Sequence, residues 1–467
     1  MIAHPSFAVI GHPNEGKSSV VATLVENDRI RISPTPGETV ESTSYPVILD
    51  GETVISFVDT PGFQNPLQTL GWMRKYQGPS RDMLAAFLRE FGDDPGMTHE
   101  CELLRPVAAG SGVIYVVDAS RPLRRVDRAE MEILRLTGRP RMAIINCKTG
   151  EEGFLEEWKE EFRKHFNMVR TFNAVRATFA ERMRLLESLR SIDQDWEQAL
   201  TRVQEAFVRD WDRRLRDCAA LACRFLSEVL AMSETTSLSE GIDRNAVEQR
   251  LTMRLEARIR KAESELHRAV RAHFRHNVFQ ADLPEQSVLR QDLFSRATWR
   301  VLGLTRTQLA FTAAAAGGAA GAMVDMATAG HSLGLFAVLG GAVGGLAALV
   351  KGEDLVNERL LGQRLGSQGL QVGPVKTVQW VYVLLDRFLL YFWHAINWAH
   401  ARPADHVVQD PEKGGKLGLT SAWSREARKL CADFYTARTE GREEKSAELE
   451  VRLEQFLDEE LHRLSSS

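Results

Sequence analysis

The residues with the most definite chemistry form the octapeptide GHPNEGKS at positions 11–18. An apolar run at positions 7–10 precedes it and predicts a buried strand, and positions 19–25 predict a helix. A strand, a glycine-rich loop and a helix in this order bind phosphate, because backbone N–H groups and the positive helix end face the anion. We expect Lys17 to contact the β- and γ-phosphates of a nucleotide and the Ser18 hydroxyl to bind Mg²⁺. The loop residues predicted to bind the nucleotide are Asn14, Glu15, Gly16, Lys17, Ser18 and Ser19.

Two short motifs follow the loop in the order that a nucleotide-controlled switch requires. The motif TPGET at positions 35–39 lies in a polar stretch, where Thr39 can close over the γ-phosphate and complete the Mg²⁺ shell. The motif DTPG at positions 59–62 ends an apolar strand, so Asp59 is expected to hold Mg²⁺ through water and the Gly62 N–H to sense the γ-phosphate. The predicted catalytic residues are Lys17, Thr39 and Gly62, and the predicted Mg²⁺ residues are Ser18, Thr39 and Asp59.

The strands of the first part of the chain are continuous apolar runs that alternate with helical segments. Such runs are typical of a parallel sheet covered by helices on both faces. We therefore predict a doubly wound, mostly parallel α/β P-loop domain over residues 1–176. The strand pattern stops near Ala177, and residues 177–467 predict a mostly α-helical effector domain.

These motifs resemble those of the Era-like and tRNA-modification GTPases of bacteria, at positions 14–18, 36–39 and 59–62. The resemblance implies that GTP is bound with Mg²⁺ and hydrolysed. It also implies K⁺ beside the phosphates, because Asn14 matches a loop asparagine that helps to coordinate this ion in several of these families. Phe63 stands where Ras-like proteins have a water-positioning glutamine, so slow intrinsic hydrolysis is expected. The candidates for orienting the attacking water are Gln64 and Glu38.

The base-recognition motif departs from the Asn-Lys-x-Asp pattern of these families. An apolar strand at positions 142–145 leads into Asn146, which falls in register, but Cys147 and Thr149 replace the lysine and the aspartate. That aspartate normally accepts two guanine N–H groups, and sites built on such bonds discriminate strongly. One of the acidic residues at 151–152 could substitute for it. GTP is the favoured ligand, and the preference for guanine over adenine stays open.

An insertion extends the second switch. Residues 63–110 exceed what one switch and one helix require, and part of this stretch has a helical pattern. Extended second switches often carry a partner or self-contact surface, which favours a homodimer through the nucleotide domain. An idle surface loop is the alternative interpretation.

Composition restricts the class of protein. The 467 residues carry a formal net charge of −4 with acidic and basic residues interspersed, which argues against nucleic acid as a partner. Five cysteines form no disulfide or zinc pattern and favour a reducing compartment. The first residues lack a cationic region followed by an apolar core, so we expect the nucleotide domain to be cytoplasmic.

A glycine- and alanine-rich stretch at residues 309–350 predicts a hairpin of two apolar helices. Its small residues at four-residue spacing allow close helix packing, and each arm is slightly shorter than a bilayer-spanning helix. An aromatic helix at 378–399 follows, with Asp386 and Arg387 at its centre. Two interpretations stay open: peripheral or integral association with lipid or a protein of the inner membrane, or a helical core in which this helix covers the hairpin.

The sequence thus favours a GTP-binding and GTP-hydrolysing switch that acts at the cytoplasmic membrane face through its helical domain. Two other classes remain as alternatives. One is an Era-type GTPase of ribosome or RNA assembly, although no basic RNA-binding module stands out. The other is a scaffold that holds its nucleotide with little hydrolysis.

Overall fold

The structure is a computed structural model that describes residues 4–12, 15–25, 42–49, 51–146, 153–172, 179–237, 243–274, 289, 291–315, 362–365, 369–396 and 418–466. The chain divides into two compact units, Met1–Trp211 and Asp212–Ser467. We describe each unit by itself.

The first unit contains a six-stranded sheet in the order β2-β3-β1-β4-β5-β6. Only β2 is antiparallel to its neighbour β3, and the other four pairings are parallel. The predicted doubly wound, mostly parallel sheet is thereby confirmed. Its strands are β1 (Ser6–Ile10), β2 (Thr43–Leu49), β3 (Glu52–Asp59), β4 (Gly112–Val117), β5 (Arg141–Asn146) and β6 (Met168–Phe172). Every residue of β1 and β4 is buried, as their uninterrupted apolar sequence predicts.

Among the described residues, eight α-helices surround the sheet or begin in this unit. They are α1 (Lys17–Val25), α2 (Pro66–Lys75), α3 (Met83–Phe91), α4 (Thr98–Ala108), α5 (Arg125–Leu136), α6 (Leu155–His165), α7 (Phe179–Arg190) and α8 (Glu197–Ala231), of which α8 ends in the second unit. One apolar core contains side chains of α2 to α6, including Leu70, Phe87 and Leu104. A second core contains side chains of α1, α7 and the start of α8, including Val20 and Leu200. The sheet is therefore covered on both faces.

The predicted boundary at residue 176 marks the end of the strand pattern, and the compact unit continues to Trp211. Helix α7 buries Leu185 and Leu189 in the second core, and Trp196 packs edge-on against Phe7 of β1 with ring centroids 4.7 Å apart. These helices after the sheet thus complete the hydrophobic cover of the first unit. A domain boundary at 176/177 stays a prediction.

The predicted insertion at 63–110 is folded into the core. Helices α2, α3 and α4 lie between β3 and β4, where a parallel crossover needs only one helix. Met83, Phe87, Cys101 and Leu104 are buried in the same apolar core as the sheet. These contacts argue against the idle surface loop.

The second unit is mostly helical, as predicted. Its further helices are α9 (Arg244–His273), α10 (Arg296–Val301), α11 (Arg306–Ala315), α12 (Gln379–Ile396), α13 (Arg425–Thr439) and α14 (Glu443–Ser466). A small antiparallel sheet in the order β7-β9-β8 is an addition that the sequence pattern did not predict. It consists of β7 (Glu234–Ser237), β8 (Gly362–Leu365) and β9 (Gly369–Val372).

Helix α12 corresponds to the predicted aromatic helix at 378–399, of which residues 397–399 lie outside the described part. It is buried along nearly its whole length, and its central charges bond to protein. The backbone N–H groups of Gly303 and Thr420 donate to Asp386, and Arg387 pairs with Glu263 of α9. These contacts support the interpretation of this helix as part of a protein core.

Of the predicted hairpin at 309–350, only residues 309–315, at the end of α11, are described. Among the described residues, no helix combines the length and apolar character that crossing a membrane would require.

Candidate nucleotide-binding site

The phosphate-binding loop lies at the carboxyl end of the central strand β1 and leads directly into α1, which begins at Lys17. Gly11 is required at the start of the loop because a Cβ there would lie 2.2 Å from the carbonyl oxygen of Val116. Gly16 has a φ of 97°, a left-handed conformation that glycine adopts without steric cost. The loop therefore has the strand–turn–helix setting that the motif predicts, with the helix N-terminus available to an anion.

Lys17 is buried, and its Nζ donates a hydrogen bond to the carbonyl oxygen of His12 at 3.2 Å. The ammonium group thus lies against the loop itself, within the region where phosphates would bind. Ser19 lies next to it in the first turn of α1 and is half-buried. This arrangement can bind a polyphosphate, since the positive helix end and the lysine charge are adjacent.

Ser18 and Asp59, two of the predicted magnesium residues, are in contact with each other. The Ser18 Oγ donates to Asp59 Oδ2 at 2.6 Å, although the two residues are far apart in the chain. Asp59 is the last residue of β3 and is buried; its second oxygen, Oδ1, has no hydrogen-bond partner among the described residues. A buried carboxylate oxygen without a partner, beside a hydroxyl, fits the all-oxygen coordination of Mg²⁺.

Burial raises the pKa of Asp59 above its ordinary value, and the Ser18 hydroxyl and the Lys17 charge partly offset this effect. The folded protein therefore disfavours the charged carboxylate that a cation would stabilise. A buried carboxylate with this property is typical of ligand-binding sites, because a bound cation supplies the compensating charge.

The residues after Asp59 continue the predicted second switch. The Thr60 Oγ1 donates to the carbonyl oxygen of Val9 in β1 at 2.8 Å, which fixes the start of the motif. Gly62 is buried, and Phe63 is only 1% exposed, within the apolar core. The Phe63 side chain is thus a core residue, whereas the neighbouring Gln64 is exposed.

Glu15 connects the loop to the segment that follows β4. Its Oε1 accepts from Arg121 Nη2 at 2.6 Å, and its Oε2 accepts from the backbone N–H of Asp118. Arg121 also pairs with Asp127 of α5 at 2.8 Å and stacks on Trp158. Burial raises the pKa of Glu15, and the Arg121 charge lowers it in part. Glu15 therefore acts through protein contacts that fix the loop.

Asn146, the last residue of β5, is fully buried. Its Nδ2 donates to the carbonyl oxygen of Glu15 at 2.9 Å. The predicted base-recognition asparagine thus contacts the phosphate-binding loop. The rest of that motif, residues 147–152, lies outside the described residues.

His12 contacts a buried pair of polar side chains on the other side of the loop. Its Nδ1 lies 3.6 Å from Oε1 of Glu130 in α5, and the Tyr115 hydroxyl donates to the other oxygen of Glu130 at 2.7 Å. Burial raises the pKa of Glu130, and the contacts with His12 and Tyr115 lower it in part. His12 of the loop therefore lies next to the side chain of Glu130 in α5.

The structure brings together the predicted residues Glu15, Gly16, Lys17, Ser18, Ser19, Asp59 and Asn146, and the buried Gly62 follows Asp59 three positions later in the chain. Asn14, the predicted K⁺ residue, and Thr39, the predicted residue of the first switch, lie outside the described residues, as does Glu38. The sequence interpretation missed Arg121 and Asp127. A charged residue inside a buried loop, Glu15, was the available signal that a cation must lie nearby.

Comparisons with known proteins agree with this geometry. A family model described as 50S ribosome-binding GTPase matches residues 6–147. The GTPase Der of Pseudothermotoga lettingae is 25% identical over 142 residues, which are 30% of this chain and 28% of that protein. The GTPase Der of Listeria welshimeri is 23% identical over 207 residues, which are 44% of this chain and 42% of that protein. The chain thus spans less than half the length of these relatives.

The solved structures to which this chain is similar include a complex of Era with MgGDPNP and nucleotides 1506–1542 of 16S ribosomal RNA. It is 20% identical, covers 36% of this chain and 51% of its own, and has a TM-score of 0.27. NFeoB of S. thermophilus bound to GDP·AlF4⁻ and K⁺ is 15% identical, covers 58% of this chain and 90% of its own, and has a TM-score of 0.24.

The first unit therefore contains a P-loop GTPase domain, as its fold and the family match over residues 6–147 show. A second family model, described as Domain of unknown function (DUF3482), matches residues 159–462. Because this match covers more than half of the chain, the protein belongs to the DUF3482 family and joins that domain to an N-terminal GTPase domain.

Proposed function

We propose that this protein binds GTP with Mg²⁺, hydrolyses it slowly, and uses the bound state as a switch. The observation that carries the proposal is the 2.6 Å contact between Ser18 and Asp59, beside the buried Lys17, with one Asp59 oxygen left without a partner among the described residues. Two oxygen donors and a cation at a helix N-terminus are the parts that bind a nucleoside triphosphate with its metal.

Each residue has a distinct role in this proposal. Lys17 binds the β- and γ-phosphates, and Ser18 with Asp59 holds Mg²⁺, which neutralises phosphate charge when bound. The Gly62 N–H and Thr39 report the γ-phosphate, since their motifs resemble the switch segments of GTPases, which the γ-phosphate and its Mg²⁺ order. Phe63 is buried in the core and cannot orient water, which supports a slow intrinsic rate.

Two finer proposals concern selectivity. Asn146 supports the base-recognition site by bonding to the loop at Glu15, and guanine is preferred over adenine. Asn14 assists a K⁺ ion beside the phosphates, as its position in the loop motif implies.

The same purified protein tests these proposals. Phosphate release is measured with GTP and with ATP, each in K⁺ and in Na⁺. We expect GTP turnover that K⁺ enhances and that Lys17→Ala abolishes, because removing the ammonium removes its contact with the phosphates. Asn14→Ala serves as the matched variant for K⁺ and should make rates in the two salts equal.

Other outcomes would contradict particular parts. Equal turnover of both nucleotides would contradict guanine selection while leaving the phosphate site intact. No turnover above Lys17→Ala, with tight GTP binding retained, would favour a nucleotide-bound scaffold. If the protein neither binds GTP nor hydrolyses it, the proposal as a whole is overturned.

The site of action is a separate proposal. We propose that residues 309–350 direct the protein to the cytoplasmic face of the inner membrane, on the basis of their apolar, small-residue composition. Flotation with liposomes of anionic composition tests this. Loss of flotation after deletion of this segment from a still-folded protein would support the proposal, and unchanged flotation would contradict it. Salt-labile binding to RNA without flotation would favour the RNA-assembly class.

A further inference from the structure

Glu100 is a buried carboxylate in the insertion and not part of the phosphate-binding loop. It lies in the first turn of α4, and its side chain is fully buried. Within the described residues it forms no ion pair, and its Oε2 has no hydrogen-bond partner. A buried carboxylate without a cation is costly, so its retention requires a compensating set of hydrogen bonds.

The second switch supplies those bonds. The backbone N–H groups of Gln64 and Asn65 both donate to Glu100 Oε1, the first at 2.7 Å. Asn65 also donates through its side chain to the carbonyl oxygen of Gly96, just before α4, at 2.9 Å. The segment directly after Gly62 is therefore held by three hydrogen bonds to one short region, residues 96–100.

Asn65 is the N-terminal cap residue of α2, but its own side chain does not cap that helix. A carboxylate at the N-terminal end of a helix is favoured by the helix dipole. Glu100 provides a negative charge there from a different helix. The start of α2 is thus connected to α4 through the N–H groups of Gln64 and Asn65.

Helix α4 also contacts the chain that leaves the first switch. The Ser42 Oγ donates to the carbonyl oxygen of Glu102 at 2.9 Å, and Ser42 directly precedes β2. One helix of the insertion therefore bonds to residues that follow each of the two predicted switches.

We propose that Glu100 is a positioning residue that couples the second switch to α4, so that the insertion follows the nucleotide state. This inference rests on the proposed GTP-dependent switch and specifies its output. If the Gly62 N–H turns toward a γ-phosphate, we expect residues 64 and 65 to shift with it, because only one residue separates Gly62 from the first N–H that Glu100 accepts. The charge-assisted hydrogen bonds that Gln64 and Asn65 donate to Glu100 then transfer that shift to α4.

Hydrogen exchange of the full-length protein tests the coupling. Peptides covering residues 15–25, 62–70 and 98–108 are compared with GDP and with GMPPNP bound. In the parent, all three are expected to change protection between the two nucleotides. In Glu100→Ala, residues 64 and 65 should exchange roughly tenfold faster with either nucleotide, and the nucleotide-dependent change at 98–108 should disappear.

Two further variants separate coupling from loss of structure. Glu100→Gln keeps an acceptor oxygen without the charge, so we expect it to lose part of the coupling. This variant provides the test if Glu100→Ala does not fold. Glu102→Ala is the matched control, because its carboxylate lies on the same helix and pairs only with the surface residue Arg105 among the described residues. It should behave as the parent does.

The outcomes distinguish this inference from the proposed function. A parent in which peptide 15–25 responds to the nucleotides and peptide 98–108 does not would overturn the inference alone. Equal coupling in Glu100→Gln, Glu102→Ala and the parent would overturn it as well. A parent that binds neither nucleotide, with no change at 15–25, would overturn both.

Discussion

Both units bury charged side chains, but the two sets differ in how completely they are satisfied. In the second unit, both Asp386 oxygens accept backbone N–H groups, from Gly303 at 2.6 Å and Thr420 at 2.8 Å. In the first unit, Asp59 uses one oxygen for Ser18, and the other has no partner among the described residues. The aspartate carboxylate is thus fully hydrogen-bonded in the second unit and only partly hydrogen-bonded in the first.

The difference separates structural from functional use of buried charge. Arg387 joins Glu263 of α9 to the carbonyl oxygen of Gln291, so its bonds hold chain segments together within a helical core. Asp59 and Lys17 lie where parallel strands end and a helix begins, which is where α/β folds bind ligands. Buried charge whose atoms are all hydrogen-bonded holds a fold together, whereas an unsatisfied oxygen beside a lysine at a helix N-terminus indicates a ligand.

The largest effect is expected in the second unit. Arg387→Met leaves Glu263 buried without its cation, so the free energy of unfolding should fall by about 3–5 kcal/mol. Urea unfolding followed by circular dichroism measures this loss. GTP affinity should stay within about twofold of the parent value, because Arg387 and its partners belong to the second unit.

The control for that variant is Arg258→Met on α9. Arg258 pairs with Glu234 at 2.6 Å but is half-exposed, so its loss should cost less than about 1 kcal/mol. Equal losses in the two variants would contradict the structural role assigned to the Arg387 pair.

The second-largest effect is expected on GTP affinity, which should fall without a loss of folding stability. Asp59→Asn removes the charge that faces Mg²⁺, so GTP affinity in Mg²⁺ should fall on the order of 100-fold. Because burial raises the pKa of Asp59, the folded state disfavours its ionised form, and the neutral variant should unfold at the same or higher urea concentration.

Fluorescent-nucleotide titration and urea unfolding of the nucleotide-free protein measure the two quantities. Titration in EDTA is the control, since the difference in affinity between Asp59→Asn and the parent should then vanish. If Asp59→Asn lowers both folding stability and GTP affinity, Asp59 has a structural role like that of the buried charges Asp386 and Arg387.

Substitutions in the ion-pair network of Glu15, Arg121 and Asp127 should reduce GTP affinity by an intermediate amount. Arg121→Met leaves Glu15 and Asp127 without their shared cation, so the phosphate-binding loop should loosen and GTP affinity should fall about tenfold. Glu15→Gln should have a similar effect, and the double variant should lose no more than either single variant.

Additive losses in this cycle would contradict a shared network. Arg128→Met is the matched control on the neighbouring helix α5, because Arg128 is half-exposed and pairs with Glu161 at 3.5 Å on the surface. Its affinity for GTP should equal that of the parent.

The smallest effect is a pH dependence of the second unit. Burial and the nearby Arg387 charge lower the pKa of His267 from 6.5 to about 3, and its ring stacks on Tyr391. Below pH 6.5, His267 is protonated in the unfolded chain but stays neutral in the folded protein. The free energy of unfolding therefore falls as the pH decreases. His267→Phe keeps an aromatic ring without titration and should remove about 1 kcal/mol of the loss between pH 6.5 and about 5.5.

Urea unfolding at these two pH values is the measurement. Met253→Gln, an exposed change on the same helix α9, controls for substitution in this element. Identical pH dependence in the parent and in His267→Phe would exclude this histidine as the source.

The parts of the site that the sequence predicted are those set by local geometry. The loop at positions 11–18 requires glycine at Gly11 and Gly16 for backbone reasons, and the flanking strand and helix are continuous apolar segments. Ser18 and Asp59 were assigned from the order of motifs, and the structure brings them to 2.6 Å. A parallel sheet explains this success, because the carboxyl ends of its strands meet at one edge.

The contacts that the sequence did not predict join residues far apart in the chain. Arg121 lies 106 positions from Glu15, and Glu100 lies 36 positions from Gln64, with no periodic pattern to relate them. The two interpretations of the aromatic helix at 378–399 were also undecidable from composition. Its apolar residues suit lipid and protein equally, and only the partners of Asp386 and Arg387 distinguish them.

The sequence by itself determined the phosphate-binding loop, the second-switch motif and the alternation of strands and helices, because short-range steric and hydrophobic patterns specify them. The tertiary structure decided that backbone N–H groups satisfy both oxygens of Asp386, whereas Asp59 keeps one oxygen without a partner among the described residues beside the phosphate-binding loop. That distinction depends on which donors and cations long-range folding brings to each carboxylate, and the residues themselves carry no local sign of it.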